Sequence, residues 1–264
     1  MIFQKYHGAG NDFLIADNRE GSLQLSPARI ERLCTRRTGI GADGVILLEP
    51  SALAAYRMVY FNSDGSGGMM CGNGGRCLAA FADSLGYKDL RFEAADGLHD
   101  ATILSRREGE VIVRLGMRDV TQVERLDADT FFLDTGTRHY VRFVGDPDAV
   151  DVVAEGRTVR YDPRFAPLGT NANFVGRRGG QIVVRTYEKG VEDETLACGT
   201  GLVASALAAY LHGEAPQERE GDRVAYGLRA RIAGLTVDFR VSGEGFADIY
   251  LTGPATCVGT VIVE

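Results

Sequence analysis

The sequence has no long apolar run, no tract of basic residues and no C-x-x-C cysteine pair, and each absence narrows what it can be. Its most apolar stretch, 196–211, contains Cys, two Gly, Thr and Ser and falls short of the roughly 20 apolar residues a membrane span needs. A buried helix is the expectation there, and no membrane is implicated. The opening MIFQKYHGAGNDF reaches charge and glycine before an apolar targeting core could form, so a cytoplasmic location is expected. Basic residues are outnumbered, 29 Lys and Arg against 36 Asp and Glu, giving a formal net charge of −7. The basic clusters Arg36-Arg37 and Arg177-Arg178 are only pairs; they read as solvated surface, and no nucleic-acid role is expected. Five widely spread cysteines, an odd number, make no disulfide framework. Cys71 and Cys77 are spaced C-x5-C with no second close pair, and the chain has only four histidines. That spacing argues against a zinc site, and no metal is expected.

What the chain does have is an ordinary core-forming composition, 45% hydrophobic and 25% charged, punctuated by 34 glycines. The glycines separate short runs rich in Val, Ile, Tyr and Phe, such as 111–115, 140–144 and 181–185, which read as strands. Helices are fewer. Residues 26–37 open Ser-Pro, an N-cap with proline in the first turn, and carry Ile30, Leu33 and Cys34 at helical spacing. Two Ala- and Leu-rich segments, 75–85 and 202–211, are apolar nearly all round and are followed by Gly86 and Gly213. They are expected to be helices buried inside sheets, with glycine at the C-cap.

These two helices reveal a repeat. Cys71-Gly72-Asn73-Gly74 precedes the first and Cys198-Gly199-Thr200-Gly201 the second, nearly half the chain apart. Repetition at so long a period points to duplicated domains. The expected fold class is α+β, with two pseudo-symmetric domains, each a curved, mostly antiparallel sheet around a central buried helix. The boundary is placed near 117–123, with residues 1–117 in one domain and 118–253 in the other.

A cysteine just ahead of a helix feels the positive end of the backbone dipole, which lowers a thiol's pKa from its free value of about 8.5. Unpaired amides at the same helix start can hold a carboxylate. Two such thiols, acting from opposite faces of one carbon, form an acid–base pair suited to inverting a stereocentre beside a carboxylate without a cofactor. Cys34, Cys77 and Cys257 lack this context and read as core residues.

At this point the sequence resembles the diaminopimelate epimerase family from end to end. The resemblance is carried by KYHGAGNDFLIAD (5–17), GIGADG (39–44), FNSDGS (61–66), MCGNGGRC (70–77), GTNANF (169–174), ETLACGTG (194–201) and LTGPA (251–255). It implies an isomerase of lysine biosynthesis that interconverts LL- and meso-diaminopimelate with no cofactor, taking a small amino acid as substrate, with Cys71 and Cys198 catalytic. It further implies that Asn11, Asn62 and Asn171 bind the substrate's amino and carboxylate groups. Gly72, Asn73, Gly199 and Thr200 would bind the reacting carboxylate. Glu188 would touch substrate and serve Cys198, and His139 would serve Cys71. The resemblance also implies that a strand at about 254–264 returns to the first domain, and a homodimer is compatible with it but not required by it.

Three departures bear on substrate choice. The family's arginine after the glutamate is Lys189 here, a point charge in place of a planar fork. The usual Asn-Pro-His or Ser-Pro-His is Thr137-Arg138-His139, and the segment from Lys189 to Glu194 is one residue longer than the commonest form. An epimerase or racemase of another amino acid is the nearest rival reading. A thiol redox protein is a more distant one, disfavoured by the absence of C-x-x-C.

Overall fold

A computed structural model describes every residue of the chain except Glu108 and Glu244. In chain order its elements are β1 (Ile2–Gly8), β2 (Asn11–Asp17), α1 (Pro27–Cys34), β3 (Gly44–Glu49), β4 (Tyr56–Asn62), α2 (Gly72–Ser84), β5 (Phe92–Ala94), β6 (Gly97–His99), β7 (Ala101–Arg107) and β8 (Glu110–Gly116). There follow β9 (Val123–Arg125), β10 (Thr130–Asp134), β11 (Arg138–Phe143), α3 (Val152–Arg160), β12 (Asn171–Arg178), β13 (Gln181–Glu188), β14 (Asp193–Thr195), α4 (Gly199–His212), β15 (Glu218–Glu220), β16 (Arg223–Arg229), β17 (Gly234–Ser242) and β18 (Gly245–Ile262). Contacts divide the chain into Met1–Gly116 with Thr252–Glu264, and Met117–Leu251.

In the first unit the strands run in the order β6-β5-β4-β3-β2-β1-β18-β8-β7. All these pairs are antiparallel except β2–β3 and β4–β5. Strand alternation sorts side chains onto two faces. Leu14, Ala16, Val45 and Leu47 pack against Ile30, Leu33 and Cys34 of α1. Asn11, Phe13, Gly44 and Ile46 fall on the other face, and α2 contacts β1, β2, β3, β4, β7 and β8. The whole first three turns of α2, from Gly72 to Ala82, are buried.

The second unit repeats the plan. Strands β9, β10, β11, β12 and β13 are neighbours in that order, β13 continues to β16 and β16 to β17; β11–β12 and β13–β16 are the parallel pairs. Tyr140, Ala172, Phe174 and Tyr187 pack with Val152 of α3, which leaves His139, Asn171, Asn173 and Thr186 on the opposite face. Helix α4 contacts β10, β11, β12, β13, β16 and β17. Cross-strand pairs Val224–Phe239, Tyr226–Val237 and Leu228–Leu235 are all buried. Buried aliphatics such as Leu202, Val203 and Leu207 contribute about 1.5–3 kcal/mol apiece. Both units thus follow hairpin, outer helix, hairpin joined in parallel, central helix, then a strand parallel to the one before it.

Local expectations need amendment in three places. Helices α2 and α4 begin at Gly72 and Gly199, three residues before the Ala-rich segments, so the CG(N/T)G motifs form the first turn itself. Helix α1 stops at Cys34, with Thr35 already extended, so 35–37 lie outside it. Helix α3 was not expected from the sequence. The strands expected at 111–115 and 181–185 lie within β8 and β13, and β11 ends one residue short of Val144. Helix α4 closes on Gly213 at φ 93°, a left-handed conformation that glycine adopts without strain.

Candidate active site

Each unit carries one cysteine at the N-cap of its central helix. Cys71 precedes α2 in an extended conformation (φ −125°, ψ 116°) and Cys198 precedes α4 likewise (φ −106°, ψ 109°). Neither helix has a side-chain cap at this position, where serine or aspartate would bind the first amides. The first-turn N–H groups point along the axis without intrahelical acceptors, a setting for a carboxylate and for a thiolate.

In the first unit, the start of β2, the end of β4 and the start of α2 supply the side chains. Asn11 Oδ1 lies 3.7 Å from Cys71 Sγ, and accepts from Asn73 Nδ2 at 3.3 Å. Its amide is turned that way because Asn11 Nδ2 donates to Asp43 Oδ2 at 2.6 Å. Asp43 is held by Arg36, which also bridges to Asp12, and Lys5 grips Asp12 from the other side. Burial works to raise the Asp12 carboxyl, but the hydrogen bonds from Arg36 and Lys5 prevail and hold it below the usual carboxylate range. Arg36, solvated as expected with 60% of its side chain exposed, also belongs to the scaffold of Asn11. Asn62, at the end of β4, accepts from the Tyr60 hydroxyl (2.8 Å) and donates to Ser66 Oγ (3.0 Å). Arg76, on the inner face of α2 and wholly buried, donates to Asn73 Oδ1 at 2.9 Å. Burial pulls its guanidinium pKa down, and the nearby thiols of Cys77 and Cys71 act in the opposite direction.

In the second unit the corresponding positions are the start of β11, the start of β12, the end of β13 and the start of α4. Cys198 Sγ lies 3.5 Å from Thr200 Oγ1. Thr200 Oγ1 lies 3.0 Å from Nε2 of His139 and 3.2 Å from Thr137 Oγ1, itself 2.9 Å from the same Nε2. The resemblance assigned His139 to Cys71; within its own unit its ring bonds toward the helix that carries Cys198. Asn171 Nδ2 donates to the Arg138 carbonyl at 3.1 Å, and Asn171 Oδ1 accepts from the Lys189 backbone N–H at 2.8 Å. Glu188 Oε2 accepts from Thr195 Oγ1 at 2.9 Å. The Lys189 side chain is exposed, with Nζ 3.4 Å from the Leu168 carbonyl. Asp43, Arg36, Arg76, Thr137 and Asn173 were not singled out as site residues from the sequence. For Asn173 a signal existed: it sits two positions from Asn171 in a strand, so both share a face.

The remaining thiols sit in different surroundings. Burial pushes Cys34 up to about 11 and raises Cys77 further still; Cys257, expected in the core, is instead exposed, on the outward part of β18. Among the described residues no group of three or more His, Cys, Asp and Glu side chains is placed to hold a metal ion. Among them, too, no helix is long and apolar enough to cross a membrane.

Burial depresses His139 from 6.5 to about 3, so the ring is neutral at physiological pH. Its folded pKa lies below the unfolded one, so the unfolded chain binds a proton between those values and the folded chain does not. Stability is therefore full above about 6.5 and falls as pH drops below it, by about 2 kcal/mol at pH 5. Urea unfolding followed by circular dichroism at pH 7 and pH 5 is expected to show this loss in the wild type and a smaller one in His139→Gln. An equal loss in both would refute the assignment.

Comparison with known proteins agrees with this architecture. The family model described as diaminopimelate epimerase matches residues 3–120 and 131–257. The diaminopimelate epimerase of Flavobacterium psychrophilum is 44% identical over 265 residues, covering 98% of both chains. That of Chlorobaculum tepidum is 43% identical over 267 residues, covering 96% of this chain and 98% of its own. Among solved structures, a Bacillus anthracis phenazine biosynthesis protein of the PhzF family superposes with a TM-score of 0.74 at 15% identity, covering 100% of this chain and 99% of its own. A hydroxyproline epimerase from Agrobacterium vitis gives 0.70 at 18%, covering 99% and 91%. These two likenesses concern the fold. The matched motifs, the paired helix starts and the coverage by close relatives lead to one conclusion: the chain belongs to the diaminopimelate epimerase family.

Proposed function

We propose that this chain interconverts LL- and meso-diaminopimelate by moving the proton on one α-carbon, with Cys71 and Cys198 as the two acid–base groups. The observation that supports this reading is the duplication itself: an uncapped helix start with a cysteine at the N-cap, once in each unit. A thiolate removes the α-proton, a thiol returns one to the opposite face, and the pair exchange roles with direction. The carbanion's charge moves onto the α-carboxylate, where first-turn amides at Gly72, Asn73, Gly199 and Thr200 would stabilise it better than they do the ground state. Asn11, Asn62, Asn171 and Glu188 would orient the amino and carboxylate groups. The chemistry asks for two reduced thiols and nothing else, and the cytoplasm is the compartment that keeps them reduced.

Incubation with LL-diaminopimelate in deuterium oxide, with reductant and chelator, tests the reading by NMR at the α-carbons. The expected result is the meso isomer with deuterium at the inverted carbon. Unchanged LL isomer without deuterium would end the proposal.

The distal carboxylate of diaminopimelate needs a countercharge, and we assign that to the exposed Lys189. Lysine offers fewer oriented hydrogen bonds than an arginine fork. Lys189→Ala is expected to raise KM about fivefold with kcat changed less, as for an exposed ion pair of about 1 kcal/mol. Steady-state kinetics decide it: an unchanged kcat/KM would remove Lys189 from substrate recognition.

A further inference from the structure

Asn173 has no part in the mechanism above, yet it is fully buried in β12 beside His139. Its amide has one satisfactory orientation. Nδ2 lies 2.9 Å from the Tyr140 carbonyl oxygen, which can only accept, and Oδ1 accepts from Thr186 Oγ1 at 2.9 Å. One Nδ2 hydrogen goes to Tyr140, and the other faces Nδ1 of His139 at 3.1 Å. A donor there requires Nδ1 to be an unprotonated acceptor, so the proton of the neutral ring sits on Nε2. The other tautomer would set N–H against N–H in a fully buried place, at the cost of an unmade hydrogen bond on each group.

The tautomer sets a direction. Nε2–H faces Thr137 Oγ1, with Nε2 2.9 Å away, and Thr200 Oγ1, with Nε2 3.0 Å away; Thr137 Oγ1 also receives Asn171 Nδ2 at 3.3 Å. With two donors aimed at it, the Thr137 hydroxyl sends its own proton to Thr200 Oγ1, 3.2 Å away. The Thr200 hydroxyl then has Cys198 Sγ, 3.5 Å away, as its acceptor. We propose that Asn173 is a positioning residue: by fixing the Nε2–H tautomer of His139 it turns the Thr137 and Thr200 hydroxyls toward Cys198 and stabilises that thiolate. Burial alone lowers the His139 pKa, with no charged group contributing, so the ring acts as an oriented dipole and not as a cation. The proposal rests on Cys198 being an acid–base group, and its test does not depend on turnover.

The first measurement is the tautomer of His139 in the wild-type chain, from the nitrogen-15 shifts of the ring at neutral pH. Nε2–H is expected; Nδ1–H or an imidazolium would overturn the proposal without any variant. The second is the Cys198 thiol titration, taken as the ultraviolet thiolate absorbance of each protein minus that of the same protein carrying Cys198→Ala. Asn173→Leu, similar in size, and Thr200→Val should each raise the Cys198 pKa by about one unit, a tenfold smaller thiolate fraction at neutral pH. The double variant should shift it no further, because both act through one chain of hydroxyls. An unshifted titration in either single variant, or additive shifts in the double, would overturn it. If Cys198→Ala proved active, the two-base mechanism would fall while the tautomer result stood.

Discussion

Alanine in place of Cys71 or of Cys198 is expected to lower kcat for epimerisation about 10²–10⁴-fold, the usual cost of losing an acid–base group. Cys34→Ala and Cys257→Ala should keep most of the activity. Cys34 is a buried thiol raised to about 11, and Cys257 lies on an exposed stretch of β18, far from any helix start in sequence. The two active-site variants should also differ from each other in an informative way. On the proposed mechanism each retains one thiol, and so can take the α-proton from one configuration only. Such a variant exchanges solvent deuterium slowly into one isomer without inverting it, and the other variant does so with the opposite isomer. Mass spectrometry of recovered LL- and meso-diaminopimelate reads this directly. A single variant retaining more than about a tenth of wild-type turnover would contradict the need for both groups.

The fold class was legible because its strongest signals are local and repeated. Two apolar Ala-rich helices, each preceded by CG(N/T)G, cannot be satisfied except inside sheets, and the glycine-punctuated β-branched runs supply the sheets. What the sequence hid was tertiary in origin. Intrinsic propensity sets Gly72, Asn73 and Gly74 outside a helix, yet packing draws them into its first turn. Helix α3 contains Gly156, which weakens any helix prediction; a Cβ there would stand 2.3 Å from the Tyr187 Cβ, so close packing dictates the glycine. Arg36 is solvated, as its place in a mere pair of basic residues suggested, but its role as a scaffold residue was hidden. Its partners Asp12 and Asp43 are brought to it by β2 and the turn before β3. Thr137 looked like a departure from a family pattern, and only the approach of α4 to β11 reveals its contact with Thr200. Single-sequence reading finds groups that repeat or alternate, and misses those joined by crossover.

The duplicated motif also predicts an asymmetry, because Gly74 and Gly201 occupy the same place in the two first turns but face different neighbours. A Cβ on Gly201 would lie 2.5 Å from Asn173 Oδ1, 3.2 Å from Cys198 Cβ and 3.3 Å from its sulfur. The Asn173 amide cannot yield, since Tyr140 and Thr186 hold both of its ends; the clash must displace the helix start and Cys198 with it. A Cβ on Gly74 would meet Ile46 Cδ1 at 2.9 Å and Met58 Cε at 3.1 Å, the free ends of flexible side chains, and Cys71 Cβ only at 3.5 Å. Both substitutions gain about 1 kcal/mol of helix propensity. At Gly201 this is offset by overpacking of about 1–3 kcal/mol, so stability changes little while geometry suffers. Gly201→Ala is therefore expected to lower kcat/KM about a hundredfold, as displacement of a catalytic group by about 1 Å does. Its melting temperature should fall by no more than about 8 °C, since the net loss is about 0–2 kcal/mol at about 2–4 °C per kcal/mol for a chain of this size. Gly74→Ala should keep kcat/KM within about fivefold, because its neighbours can rotate aside at about 0.5–1.5 kcal/mol. Steady-state kinetics and thermal unfolding on the two variants separate the cases. Equally small losses at both positions would show that the Asn173 amide yields as readily as a methionine tip, and the rigid support argued for Cys198 would not exist.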